Sequence, residues 1–125
     1  MTTKLDSFTR QYIETAFWST NDESTEQGGE PLEANYSASD LAPETLAAMI
    51  ADCAKFQEQN AAIMDMDGCQ DAETCGHDFW LTRNGHGAGF WDGDYLEAVG
   101  DALTAAAKGF GECNLYVGDD GQIYL

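Results

Sequence analysis

Cationic side chains are what this chain has least of: Lys4, Arg10, Lys55, Arg83 and Lys108 are all it carries in 125 residues. Proteins that grip duplex DNA do so with clefts lined by lysine and arginine. Anionic lipid surfaces attract the same charges. So few cations exclude direct nucleic-acid binding and adhesion to such a membrane. No apolar run approaches the roughly 18 residues of a membrane span, and the opening MTTKLDSFTRQ lacks the apolar stretch of a secretory signal. These absences lead to the expectation of a cytoplasmic location. Also missing are the CxxC pairs of common zinc sites, a phosphate-loop pattern, and a serine or cysteine set beside histidine in a recognisable nucleophile motif.

Acid is abundant instead. Twenty-three Asp and Glu give a net charge of −18, with a pI near 4.1. Self-repulsion on that scale opposes compaction. The hydrophobic fraction of 43% nevertheless suffices for a core, because disorder needs both high charge and few apolar groups. Length and composition predict one acidic domain over 1–125, burying roughly two-thirds of its unfolded surface.

Periodicity divides the chain. Leu5, Phe8, Tyr12, Ile13, Ala16 and Phe17 recur at helical spacing and predict a helix over 6–19. An acidic loop follows over 19–38, broken by Gly28-Gly29 and Pro31. Pro43 suits the first turn of a second helix, whose inward stripe of Leu46, Met49, Ile50, Cys53 and Phe56 runs to Asn60. Residues 61–76 read as a solvated linker loop. DMDGCQD within it loosely resembles a calcium loop through Asp65, Asp67, Asp71 and Glu73, but glycine falls at the fourth position rather than the sixth and no glutamate closes the loop.

HDFWLTRNGHGAGFWDGD, over 77–94, reads as a β-hairpin, because Asn84-Gly85 is a strong two-residue turn signal between aromatic and β-type residues. A third helix is expected over 94–108, with Leu96, Val99, Leu103 and Ala106 inward and Gly109 or Gly111 as its stop. Asn114–Val117 and Gln122–Leu125 then flank Gly118-Asp119-Asp120-Gly121 as a second hairpin. The order ααββαββ predicts an α+β two-layer domain, three helices packed on a four-stranded antiparallel sheet made of two hairpins.

Three constellations carry chemistry. Cys69, Cys75 and His77 could ligate zinc without the usual spacing, or Cys69 and Cys75 could pair on oxidation; Cys53 and Cys113 read as buried small hydrophobes. Neither a metal nor another cofactor is required by the pattern. The second constellation is the aromatic-histidine segment. As an enzyme it would use His77 or His86 as base, oriented by Asp78 or Asp92, with Arg83 holding an anion. As an interaction surface it would expose Trp80 or Trp91 beside Arg83, the residue types that dominate interface energetics. Core packing of the aromatics is the plainer alternative.

The third constellation is the acidic field. No base interrupts the acids between Arg10 and Lys55, or between Lys55 and Arg83. Asp22, Glu23, Glu26, Glu30 and Glu33 form one row, Asp40 and Glu44 lead into the second helix, and Glu97 and Asp101 stand four apart on the third. That last pair costs about 0.2–0.5 kcal/mol by like-charge repulsion. Ordered carboxylates imitate the phosphate lattice of DNA, so the expected partner is a basic nucleic-acid-binding protein whose cleft they would block. Solubility or salt adaptation accounts for acidity equally simply.

The run HDFWLTRNGHGAGFWDGD, with GEPLEANYSASDLAPETLAAMIADCAKF and the closing NLYVGDDGQIY, resembles a family of small acidic proteins of tailed bacteriophages and prophages. The likeness spans Leu5 to Tyr124, with the Cys69–Cys75 stretch as a variable linker. It implies work in host takeover or counter-defence: a DNA mimic of anti-restriction or anti-CRISPR type acting on a host or defence protein.

Overall fold

The computed structural model describes residues 5–22, 30–85, 89–90 and 95–125. Among them are five α-helices: α1 (Ser7–Ser19), α2 (Pro43–Gln59), α3 (Ala61–Met64), α4 (Ala72–Arg83) and α5 (Glu97–Lys108). The strands among the described residues are β1 (Asn21–Asp22) paired with β2 (Glu30–Pro31), and β3 (Tyr116–Val117) paired with β4 (Ile123–Tyr124), with an isolated parallel bridge between Leu41 and Ile123. Both ladders are antiparallel, with Asn21 opposite Pro31 and Tyr116 opposite Tyr124. None of the helices described is long and apolar enough to cross a membrane.

Helix α1 begins where the Asp6 carboxylate accepts the Thr9 N–H at 2.8 Å, satisfying one of the donors that every helix start leaves free. It buries Phe8, Tyr12, Ile13, Ala16 and Phe17. Helix α2 starts with Pro43 in its first turn, and the preceding Ala42 N–H donates to the Ile123 carbonyl at 3.0 Å, tying it to the C-terminal hairpin. Met49, Cys53 and Phe56 form its inward stripe, and Val99, Leu103 and Ala107 that of α5.

The predicted α+β sheet is wrong, and α4 is the reason. Residues 77–83, expected as the first strand of a hairpin, are helical instead. Cys75, Gly76, Asp78, Phe79, Trp80, Leu81, Thr82 and Arg83 are all buried, so α4 has neighbours on every side from Asp78 onward. A helix buried all round shows no 3.6-residue stripe, and its aromatic run mimics strand composition. Its start was nonetheless written in the chain, because the Asp71 carboxylate accepts the Thr74 N–H at 2.9 Å and Glu73 sits in the first turn. Asn84-Gly85 serves as a helix stop rather than a hairpin turn. Asn84 is the C-cap and Gly85 follows at φ +71°, the left-handed conformation glycine supplies after a helix.

The 61–76 linker is corrected likewise, since α3 and the first turn of α4 occupy much of it. Asp71, weighed there as a calcium ligand, caps α4 instead.

The core runs along α4. Phe79 stacks on Phe56 at 4.2 Å and meets Phe8 at 6.0 Å, Tyr12 at 5.1 Å and Phe110 at 5.0 Å. Each buried Phe contributes about 1.5–3 kcal/mol of transfer free energy. Gly76 sets how close α1 comes, because a Cβ there would run into the Phe8 carbonyl oxygen.

Candidate functional site

The two ends of α4 hold different polar clusters. At the C-terminal end Arg83 is buried under the aromatic core. Its Nε donates to the Gly111 carbonyl at 2.8 Å and Nη2 to the Phe110 carbonyl at 3.2 Å. Nη1 donates to the Tyr12 hydroxyl at 3.0 Å and to Asp52 Oδ2 at 2.9 Å. The guanidinium carbon lies 5.5 Å from the ring centroids of both Phe79 and Phe110. Burial pushes the Tyr12 phenol up, so it meets Arg83 as a neutral hydroxyl. This arginine ties α1, α2 and the 110–111 turn to α4. It is closed to an anion or a partner.

Trp80 is buried as well, its indole N–H donating to Ser19 Oγ at 2.9 Å while its ring meets Tyr12 edge-on. The expected surface anchor of Trp80 beside Arg83 is therefore corrected: both side chains are interior. Trp91, His86 and Asp92 lie outside the described residues, so the hairpin half of the enzyme constellation does too.

The N-terminal half of α4, up to His77, is open on one side. His77 Nδ1 lies 2.9 Å from Asp78 Oδ1, and the Tyr95 hydroxyl donates to Asp78 Oδ2 at 2.7 Å. Burial pushes the Tyr95 phenol up, keeping it a donor. Asp78 thus fixes the imidazole, and Tyr95 fixes Asp78. His77 lines an open depression of about 330 Å³ with Gln11, Glu73 and Thr74. Cys75, the nearest thiol, is pushed up to about 12 by burial, so it is no thiolate nucleophile at neutral pH. Its sulfur lies 3.6 Å from that of Cys69. With His77 Nδ1 turned to Asp78, these residues do not converge on a metal position, and no group of three or more His, Cys, Asp or Glu among the described residues is arranged to hold one.

The acids named from the sequence separate over several elements. Glu30 and Glu33 are exposed around β2 and the 3₁₀ turn Leu32–Ala34, and Glu30 accepts from Asn35 at 3.2 Å. Asp40 is half-buried and accepts the Ser37 N–H at 2.9 Å, closing a capping box. Glu44 and Glu97 stand exposed in the first turns of α2 and α5, where the helix dipole favours them. Asp101 is exposed one turn further along α5. Asp22 closes β1, and Glu23 and Glu26 lie outside the described residues.

A surface feature not anticipated from the sequence lies on α1. Trp18 is 41% exposed and stacks on His77, with ring centroids 5.6 Å apart. With Ile13, Glu14 and Phe17 it walls a groove of about 400 Å³, closed opposite by Glu33, Tyr36, Ser37 and Ala38. The readable signal was an indole placed just past the inward stripe of an amphipathic helix, four residues after a glutamate. No family model, curated protein or solved structure matches the chain.

Proposed function

We propose that the protein is a non-enzymatic ligand for the basic cleft of a nucleic-acid-processing protein, which it occupies and blocks as a folded polyanion. The observation that carries this reading is the state of the carboxylates. Among the described residues Arg83–Asp52 is an ion pair, and His77 Nδ1 lies 2.9 Å from Asp78 Oδ1. Glu30, Glu33, Glu44, Glu97 and Asp101 stand exposed with no ion-pair partner among the described residues. Arg83, among the few cations, is withdrawn into the core, which leaves the surface still more anionic. Carboxylates on ordered helices offer fixed charges, and a basic cleft that holds duplex DNA through counterion release accepts such a surface in its place. The likeness to phage proteins directs the proposal to a restriction or CRISPR nuclease in the bacterial cytoplasm.

The test is displacement. The immobilised protein is exposed to bacterial lysate, and what it retains is eluted with short duplex DNA or with a salt gradient. Retained proteins are expected to leave with DNA, and to leave as the Debye length falls from about 10 Å at 0.1 M to about 3 Å at 1 M salt. Elution indifferent to both overturns the reading.

One observation favours a second reading. The Tyr95–Asp78–His77 chain orients an imidazole as a general base is oriented. It predicts a turnover that His77→Ala abolishes while exposed-acid variants leave it intact.

A further inference from the structure

The Trp18 groove has a rim and a floor of opposite character. Phe17 and Ile13 are buried at its base, Trp18 stands above them, and Tyr36 is half-buried across from it. Glu14 and Glu33, both exposed, are the charged groups that line it. An apolar segment would leave those carboxylates unused, and an acidic one would meet a chain of net charge −18. A guanidinium satisfies both halves: its planar face stacks on an indole, and its N–H edge donates to carboxylates.

The indole is also held in place before any partner arrives. Its face rests on His77, which Asp78 orients at 2.9 Å, which Tyr95 in turn holds at 2.7 Å. An anchor already fixed loses little side-chain entropy on binding. The Tyr95–Asp78–His77 chain thus backs one face of Trp18 with a hydrogen-bonded imidazole.

We infer that the Trp18 groove docks an arginine-bearing extended segment of the basic partner, with Trp18 stacking on the guanidinium and Glu14 and Glu33 receiving its N–H groups. This rests on the reading of the protein as a ligand for basic partners and names where an arginine is gripped. Charge across the whole surface brings the partner in. The groove fixes its pose.

The test uses a short synthetic peptide alternating arginine and serine, with a citrulline counterpart that keeps the shape and lacks the charge, titrated calorimetrically into the intact protein. Trp18→Ala is expected to weaken arginine-peptide binding by roughly ten-fold or more, and Trp18→Phe by less. Glu14→Gln/Glu33→Gln is compared with Glu97→Gln/Asp101→Asn, which removes the same charge elsewhere, and the groove pair is expected to lose several-fold more. Thermal unfolding of each variant separates lost binding from lost fold.

Equal losses in the two charge-matched pairs, with Trp18→Ala binding normally, overturn the inference and leave the proposed function standing, because net charge alone would then hold the peptide. Citrulline peptide binding as tightly as arginine also overturns it, in favour of an apolar occupant. An arginine peptide that the unaltered protein does not bind overturns it outright, while displacement by duplex DNA still judges the proposed function.

Discussion

Arg83 and His77 sit six residues apart on the same helix, and their surroundings could hardly differ more. Around Arg83 the buried donors meet carbonyls, a hydroxyl and a carboxylate at 2.8–3.2 Å. Around His77 one ring nitrogen is engaged, the ring is part-exposed, and its stacking partner Trp18 faces a groove. A polar cluster that satisfies itself is architecture. One left incomplete at the surface is where binding is to be sought. The sequence pattern puts both residues in one β-hairpin and does not tell their surroundings apart.

The sharpest way to break the contrast is at the closed end. Arg83→Ala leaves the Gly111 and Phe110 carbonyls without their donor and opens a gap between two aromatic rings. It is expected to lower unfolding free energy by about 3–5 kcal/mol in urea titration. Asp52→Asn is expected to cost nearer 1 kcal/mol, because the Asp52 side chain is 36% exposed and water replaces much of the pairing. A loss under about 1 kcal/mol for Arg83→Ala would mean that the cluster is not closed.

Gly76→Ala, one residue before His77, pushes α1 off α4 through the Phe8 carbonyl. About 1–3 kcal/mol of destabilisation is expected, read as a fall in melting temperature. At the open end His77→Ala is expected to change stability by under about 1 kcal/mol. It should nevertheless weaken arginine-peptide binding several-fold, since it removes the support of Trp18.

Alkaline pH probes the buried thiol beside that cluster. Cys75 ionises near 9 in the unfolded chain and at about 12 when folded. Its contribution is therefore fully present below pH 9 and lost as pH rises toward 12. Cys75→Ala is expected to flatten part of that decline in denaturation midpoints. The smallest effect belongs to the surface: Asp101→Asn relieves repulsion from Glu97 and is expected to gain about 0.2–0.5 kcal/mol, shrinking with added salt.

How much could be read without the fold follows from which residues face one neighbour and which face many. Helices α1, α2 and α5 each bury one side, so Phe8, Tyr12 and Ile13, or Val99 and Leu103, announce them by spacing. The turn at Gly118–Gly121 announces the C-terminal ladder. Helix α4 carries no such signature because every residue from Asp78 to Arg83 is buried, more than a full turn covered on all sides. Its Asn84-Gly85 stop is the same dipeptide that opens a hairpin, since both need a left-handed glycine. Trp80 and Trp18 illustrate the limit for the site: the sequence pattern points to Trp80 as an anchor and passes over Trp18, and packing sends the first inside and leaves the second on the groove.

The amino-acid sequence by itself determined the charge of the surface and the three amphipathic helices, because those depend on composition and on local period. The tertiary structure decided that the aromatic segment is a central helix, that Arg83 is a strut, and that Trp18 with Glu14 and Glu33 makes the open groove. Those outcomes depend on what lies across from each side chain, and Tyr12, Asp52 and Tyr36 reach their places only when distant stretches of chain meet.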